Sequence, residues 1–413
     1  MRRKVVITGL AAVSPLGNSL RETWAGICAA KSGISTITKF NTDGYRTTIA
    51  GELKGFDPLA FMSAKELRRN DDFIVYALAC SEMALADAGL SIDPGKADRT
   101  GVIIGSGIGG LATIESEKAV LLAGGIKKIS PFTLPAVLAN LASGQVSIKF
   151  GAKGPISCIV TACSSGSHSI GESFRLIRDG YADAMITGGT EAAITPLGFA
   201  AFGAMRALST RNDAPEKASR PFDVDRDGFV MGEGCGILIL EELSSALDRG
   251  ARIYAELVGY GMTADAFHVA APPPGHEGAV RCMRLALQDA GMQPEEIDYI
   301  NTHGTSTPLN DIYETQAIKQ VFGGHCAKLA VSSTKSMTGH LLGASGGLEA
   351  VISAKTIQDG IIPPTINLDH PDQECDLDYV PHVSRKARVD AVMSNAFGFG
   401  GANAVLVMRR YNG

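Results

Sequence analysis

Eight strand-like runs recur along this chain, each leading into a cluster of small residues and then a helical pattern. They read RKVVITG, RTGVIIGSG, PISCIVTAC, ADAMITGG, AELVGYG, IDYINTHG, LAVSSTKS and VDAVMSNAFGFG. That alternation predicts a layered α/β protein. The order also echoes itself. VVITGL precedes ISCIVTACSSG and AMITGG in the first part, and AELVGYG precedes KLAVSSTKSMTG and AVMSNAFGFGGANAVLV in the second. We therefore expect a duplicated fold, with halves at residues 1–250 and 251–413 related by a pseudo-twofold.

Composition narrows the function. With 413 residues, 45% hydrophobic, 20% charged and 48 glycines, the chain is that of a compact enzyme rich in tight turns. A formal charge of −5 argues against a nucleic-acid binder that neutralises many phosphates, so an acidic partner would need a local basic patch. The start, MRRKVVITGLAAVSP, imitates a signal peptide, but Thr8 and Gly9 interrupt the apolar run and we read a first strand. No window approaches the ~18 apolar residues of a membrane span. The eight cysteines form no C-x-x-C pair, so reduced thiols in the cytoplasm are expected.

Two helices bear on function. Behind Cys163, Ile170, Phe174 and Ile177 fall at i, i+4 and i+7 as one buried stripe, with Gly180 as C-cap. A second helix is expected from about Ser63 to Ala88, with Lys65, Arg68 and Arg69 on one face.

CIVTACSSGSHSIGESF delivers Cys163 to a small-residue turn at a helix start, where a lowered thiol pKa and room for a thioester suit a nucleophile. Its N–H could help bind an oxyanion. A buried structural cysteine is the alternative. NTHGTSTPLND carries His303, and STKSMTGHLLGASGGLEA carries Lys335 and His340, each in a turn after a strand-like run. A single such histidine is commonly structural. Strand ends of α/β proteins gather sites, so the three turns could converge. SNAFGFGGANA reads as a hairpin or bulge, or as a flexible loop with Phe397 and Phe399 as movable plugs. GSGIGG fits a dinucleotide fingerprint through Gly105, Gly107 and Gly110, but Lys127 and Lys128 stand where an acidic residue would be wanted.

TACSSG, NTHGTSTPLND, SSTKSMTGHLLGASG and NAFGFGGAN, in this order, resemble the β-ketoacyl-acyl-carrier-protein synthases of the thiolase superfamily, and the likeness runs from about Arg3 to Met408. The resemblance implies a five-layered αβαβα fold of two duplicated halves and a homodimer. It implies decarboxylative condensation of acyl and malonyl carrier protein in fatty acid elongation. Cys163 would carry the acyl group; His303 and His340 would support decarboxylation and stabilise the enolate. The N–H groups of Cys163 and Phe399 would form the oxyanion hole, with Phe399 gating the thiol. Lys335 and Glu349 would order the site. Thr305 and Thr307 would hold the phosphopantetheine arm, Gly400 would lie along the substrate, Ile108 would floor the acyl pocket, and Phe132 would lie at the dimer interface nearby. Lys65, Arg68, Arg69, Lys127, Lys128 and Arg206 would dock the acidic carrier.

No cofactor, metal, nucleic acid or membrane insertion is implied, although Glu349 and Asn301 match positions where some relatives hold a monovalent ion. Ala270, Ala271 and Ala402 depart from the hydroxyl residues common in the family. A ketosynthase of a polyketide or specialised lipid pathway, a non-catalytic partner subunit of a synthase, and a coenzyme A thiolase are the rival readings.

Overall fold

The computed structural model describes residues 2–413, in which ten strands join one mixed sheet. They are β1 (Val5–Val13), β2 (Thr100–Gly105), β3 (Ile156–Ser157), β4 (Ala184–Glu191), β5 (Gly234–Glu242), β6 (Ala255–Ala264), β7 (Tyr299–Asn301), β8 (Ala330–Ser332), β9 (Ala391–Gly398) and β10 (Ala402–Arg409). The order β3-β2-β4-β5-β1 meets β6-β10-β9-β7-β8 at a short β1–β6 ladder, Val5 to Ile7 against Leu257 to Ala255. Each half has the same pairing. β3, β2 and β4 run parallel, as do β8, β7 and β9; β4–β5–β1 and β9–β10–β6 are antiparallel. Strand n therefore corresponds to strand n+5, which is the duplication in topological form.

Helices repeat the same way. α1 (Asp72–Ala88) and α2 (Leu141–Phe150) cover the outer face of the first half, and α4 (Glu277–Ala290) and α5 (Pro308–Phe322) that of the second. α3 (Ser165–Arg178) and α6 (Ser345–Asp359) lie between the halves and touch strands of both. The result is five layers, αβαβα, and the apolar core separates accordingly. Leu238, Leu240, Leu406 and Met408 face the central helices, while their neighbours Ile237, Ile239, Val405 and Val407 face the outer ones. That alternation is the period-two pattern of strands covered on both sides.

Thr8 and Gly9, which break the apolar run of β1, have a local reason. A register shift lies between Ile7 and Gly9, so Val5, Ile7, Leu10 and Ala12 all face the centre. A Cβ on Gly9 would meet Ala84 O of α1 at 2.4 Å, so glycine lets that helix lie against the strand.

Two elements differ from expectation. The helix expected from Ser63 to Ala88 is split into Ala64–Leu67 and Asp72–Ala88. A capping box of Ser63 and Glu66 starts the first piece, Arg68 ends it, and Asp71 begins the second. Lys65, Arg68 and Arg69 therefore do not share one helix face. PISCIVTAC pairs only at Ile156–Ser157, because the chain leaves the sheet edge there to reach the Cys163 turn; Ile156 and Val160 stay exposed. Among the described residues, no helix is long and apolar enough to cross a membrane.

Candidate active site

Cys163 sits in the 3-10 turn Ala162–Ser164, directly before α3. Ala162 takes a φ of +50°, an unfavourable conformation for a residue with a Cβ, and the surrounding hydrogen bonds hold it there. The Ser165 hydroxyl donates to Ala162 O at 2.6 Å and accepts Thr161 N–H at 2.9 Å. Ser164 Oγ donates across to Ala402 O at 2.9 Å, tying the turn to the start of β10. α3 and α6 approach backbone to backbone here. A Cβ on Gly166 would lie 2.7 Å from Gly347 N.

His303 and His340 come from the other half. Their rings stand 5.4 Å apart at 87°, and a nitrogen of each lies within 4.8 Å of the other and of Cys163 Sγ. The turns expected to converge do so. Leu342 N–H reaches His340 Nδ1 at 3.3 Å, with Ser345 Oγ 2.8 Å away, so Nδ1 is an acceptor and the proton resides on Nε2. His340 Nε2 has no protein partner and is left to donate to a substrate oxygen.

His303 is fixed through its backbone. Glu314 on α5 accepts the N–H groups of His303 and Gly304 at 2.9 and 2.8 Å, and the Asn395 amide at 3.1 Å. Lys335 Nζ donates to His303 O at 2.6 Å and pairs with Glu349, both side chains buried. The SRPFDVDRDG stretch braces the same turn. Arg220 N–H donates to Ser306 Oγ at 3.0 Å, and Arg226 Nη2 to Pro308 O at 2.8 Å.

Burial pushes the Cys163 thiol up to about 11; the Lys335 ammonium and the backbone N–H groups of Phe399 and Cys163 pull it back only partly. This corrects the expectation of a thiol acidified by its helix. The helix end is there, but the loss of water outweighs it, and the resting group is the neutral thiol. Burial and the Lys335 charge hold both histidines well below the usual imidazole range, so they too are neutral. Burial raises Glu349 to about 7 despite its lysine partner.

A cavity of about 580 Å³ opens onto these groups. Ile108, Thr305, Thr307, Arg206 and Phe399 line it, and the hydroxyls of Thr305 and Thr307 lie 2.9 Å apart. Gly400 is exposed at the tip of the β9–β10 turn, off the cavity wall, with its N–H donating to Val269 O at 2.8 Å. Phe132 also lies off the wall, beneath the Arg69 guanidinium at 4.2 Å. Lys65, Arg68, Lys127 and Lys128 are exposed away from the cavity. Phe397 is buried among His276 and His303, so only Phe399 is placed as a plug.

Ala270 and Ala271 line the cavity, their N–H groups donating to His268 Nδ1 at 3.1 and 3.0 Å. The cysteine and two imidazoles form a soft donor set that can ligate a metal such as zinc. Asn301, Ser394 and Glu349 each keep a buried side-chain oxygen without a protein partner among the described residues.

Sequence reasoning passed over Glu191 and Glu314, both fully buried acids. Glu191 ends strand β4, and its strand-end position was the available signal. Glu191 also explains the false dinucleotide motif. Its carboxylate accepts Gly107 N–H at 2.7 Å and Ile108 N–H at 3.2 Å, filling the place where a phosphate would lie.

A five-layered duplicated fold with a cysteine from one half and two histidines from the other defines the thiolase-like condensing enzymes. Residues 2–246 match the beta-ketoacyl synthase N-terminal domain and residues 254–369 its C-terminal domain, and the chain belongs to the beta-ketoacyl synthase family. It is 55% identical to a 3-oxoacyl-acyl-carrier-protein synthase 2 of Synechocystis and 54% identical to one of Coxiella burnetii, each over 99% of both chains. Among solved structures, a beta-ketoacyl synthase of Burkholderia phymatum superposes with a TM-score of 0.93 at 36% identity over the whole of both chains. A type II polyketide ketosynthase in complex with its acyl carrier protein does so with a TM-score of 0.92 at 35% identity, also over the whole of both chains.

Proposed function

We propose that this chain condenses an acyl group carried on acyl carrier protein with malonyl carrier protein, giving 3-oxoacyl carrier protein and CO₂ during fatty acid elongation. The observation that carries the reading is the convergence of Cys163, His303 and His340 on one cavity, which Phe399 also lines. The greater likeness to a 3-oxoacyl-acyl-carrier-protein synthase 2, at 55% against 35% for the polyketide ketosynthase, favours elongation over the specialised pathway. The intact trio speaks against a non-catalytic partner.

In the first half-reaction Cys163 Sγ attacks the acyl thioester carbon, its proton passing to a neighbouring imidazole and on to the departing carrier thiol. The N–H groups of Cys163 and Phe399 donate hydrogen bonds to the oxyanion and stabilise its charge. In the second, malonyl carrier protein loses CO₂, and the electrons of that C–C bond form an enolate. His340 Nε2–H and His303 hydrogen-bond its oxygen. Neutral imidazoles stabilise the enolate without quenching it, which is what their burial provides. The carbanion then attacks the Cys163 thioester and releases Sγ. Ala270 and Ala271 leave malonyl positioning to the remaining wall.

The chemistry needs no resident cofactor, because substrates arrive on phosphopantetheine, for which the paired hydroxyls of Thr305 and Thr307 are suited. The basic side chains at 65, 68, 69, 127, 128 and 206 suit an acidic carrier. A cytoplasmic homodimer accords with the apolar surface around β3: this edge strand has one unpaired side, and Ile156, Val160, Leu134 and Leu138 lie 52%, 56%, 67% and 48% exposed. A twofold pairing of that edge would cover it.

The test is turnover of purified protein with malonyl and graded acyl carrier proteins, read by intact mass beside Cys163→Ala. Products two carbons longer, absent from the variant, support the reading. Decarboxylation alone, or no reaction, overturns it.

A further inference from the structure

Behind the reacting sulfur lies a carboxylate with no part in the mechanism above. Glu191 is fully buried and accepts from four donors: Ser106 Oγ at 2.9 Å, Gly107 N–H at 2.7 Å, Ile108 N–H at 3.2 Å and Gly343 N–H at 2.9 Å. Ser106 Oγ accepts Gly109 N–H at 3.1 Å and donates its own proton to the carboxylate. Every hydrogen around the carboxylate therefore points at it. Burial drives Glu191 toward the neutral form while these donors favour the ionised one.

The donors come from two places. Ser106, Gly107 and Ile108 form the loop that brings Ile108 to the cavity wall; Gly343 belongs to the turn after His340, whose Leu342 N–H sets the His340 tautomer. The loop's next amide, Gly110 N–H, goes to Val137 O at 3.1 Å. The amides at 107 to 109 thus depend on Glu191 directly or through Ser106. The packing here is close: a Cβ on Gly107 would meet Glu191 Oε2 at 2.8 Å and Ala162 O at 3.3 Å.

We propose that Glu191 is a positioning residue for acyl-chain length: it fixes the Ile108 loop against the Cys163 and His340 turns and so sets how long an acyl chain the cavity admits. The inference rests on the reading of Ile108 as a wall of the acyl pocket. In Glu191→Gln the NH2 group must face at least one backbone N–H that can only donate, Ile108 N–H on one side or Gly107 and Gly343 N–H on the other, so at least one contact is lost whichever way the amide turns. The loop loosens, and Ile108 no longer defines a single depth.

The experiment measures Cys163 acylation by a series of acyl carrier proteins, from short to long, for wild type, Glu191→Gln and Ser106→Ala. Ser106→Ala removes one donor and the Gly109 acceptor while leaving the Gly343 contact, so it remains informative if the Glu191 variant does not fold. We expect the long-to-short ratio of acylation rates to shift roughly tenfold in each folded variant, the size of effect that a methylene or two makes in an apolar pocket. Because both act on one loop, the double variant should shift the ratio no further than Glu191→Gln alone. A ratio unchanged in the folded variants, or an equal loss at every chain length, would overturn the proposal. Wild type that fails to acylate at all would instead overturn the synthase reading.

Discussion

Cys163 and Gly343 occupy the same place in the two halves of the fold. Each is the second residue of a 3-10 turn, after Ala162 at φ +50° or Leu342 at φ +48°, and each turn runs into a central helix two residues later. Duplication thus produced two equivalent elbows, of which one holds Cys163 and the other is bare. The bare one has no room. A Cβ on Gly343 would lie 2.2 Å from Gly107 N and 2.7 Å from Glu191 Oε2. Gly343→Ala should lower stability by roughly 1–3 kcal/mol through overpacking. It should also cut turnover, because the Leu342–His340 contact shifts with it. Denaturant midpoints beside steady-state rates check both effects.

Cys163 should react as a high-pKa thiol in the free protein. With its pKa raised to about 11, iodoacetamide inactivation should climb about tenfold per pH unit from 7 to 10 without levelling near 9. The histidines give the opposite sign. Their pKa values are depressed, so they stay neutral as pH falls through ~6.5, and kcat/KM should show no acid break there. A plateau in alkylation near pH 8.5 would contradict the buried-thiol picture.

Much of this was legible in the chain because strand-plus-turn units carry their chemistry at strand ends. The echo of VVITGL and AELVGYG became β1 and β6, and the turns of Cys163, His303 and His340 sat where the alternation placed them. Two things were hidden. The Cys163 pKa depends on water exclusion by segments more than 100 residues away, which no local pattern encodes. The buried acids Glu191 and Glu314 act mainly on backbone amides, and their side-chain partners, Ser106 and Asn395, lie more than 80 residues away, so no local pattern pairs them. Where reading failed locally, at residues 68–71, the capping box of Ser63 and Glu66 was present but the helical apolar pattern ran on past it.

The Lys335–Glu349 pair should separate packing from charge. Both side chains are almost fully buried, and Lys335 also anchors His303 O. Glu349→Ala leaves a buried ammonium without its counter-ion and should cost about 3–5 kcal/mol, with a fall in kcat as His303 loses its support. Glu349→Gln keeps an acceptor and the volume, so it should lose less of both. Equal losses in the two variants would mean that the cavity, rather than the charge, matters.

Carrier docking offers a test that the split helix sharpens. Lys65 is exposed and has no ion-pair partner among the described residues, whereas Arg69 stacks on Phe132 at 4.2 Å. Lys65→Glu therefore reports charge alone. It should raise KM for carrier-bound substrates several-fold at low salt, the effect shrinking as ionic strength screens it, while small thioester analogues are unaffected. Arg69→Glu removes the stacking as well, and should add a loss of stability that persists at high salt. Steady-state KM at two salt concentrations, with both substrate types, distinguishes these. A KM for carrier substrates that Lys65→Glu leaves unchanged would remove this face from the docking surface and leave Arg206, at the cavity wall, as the nearest basic contact.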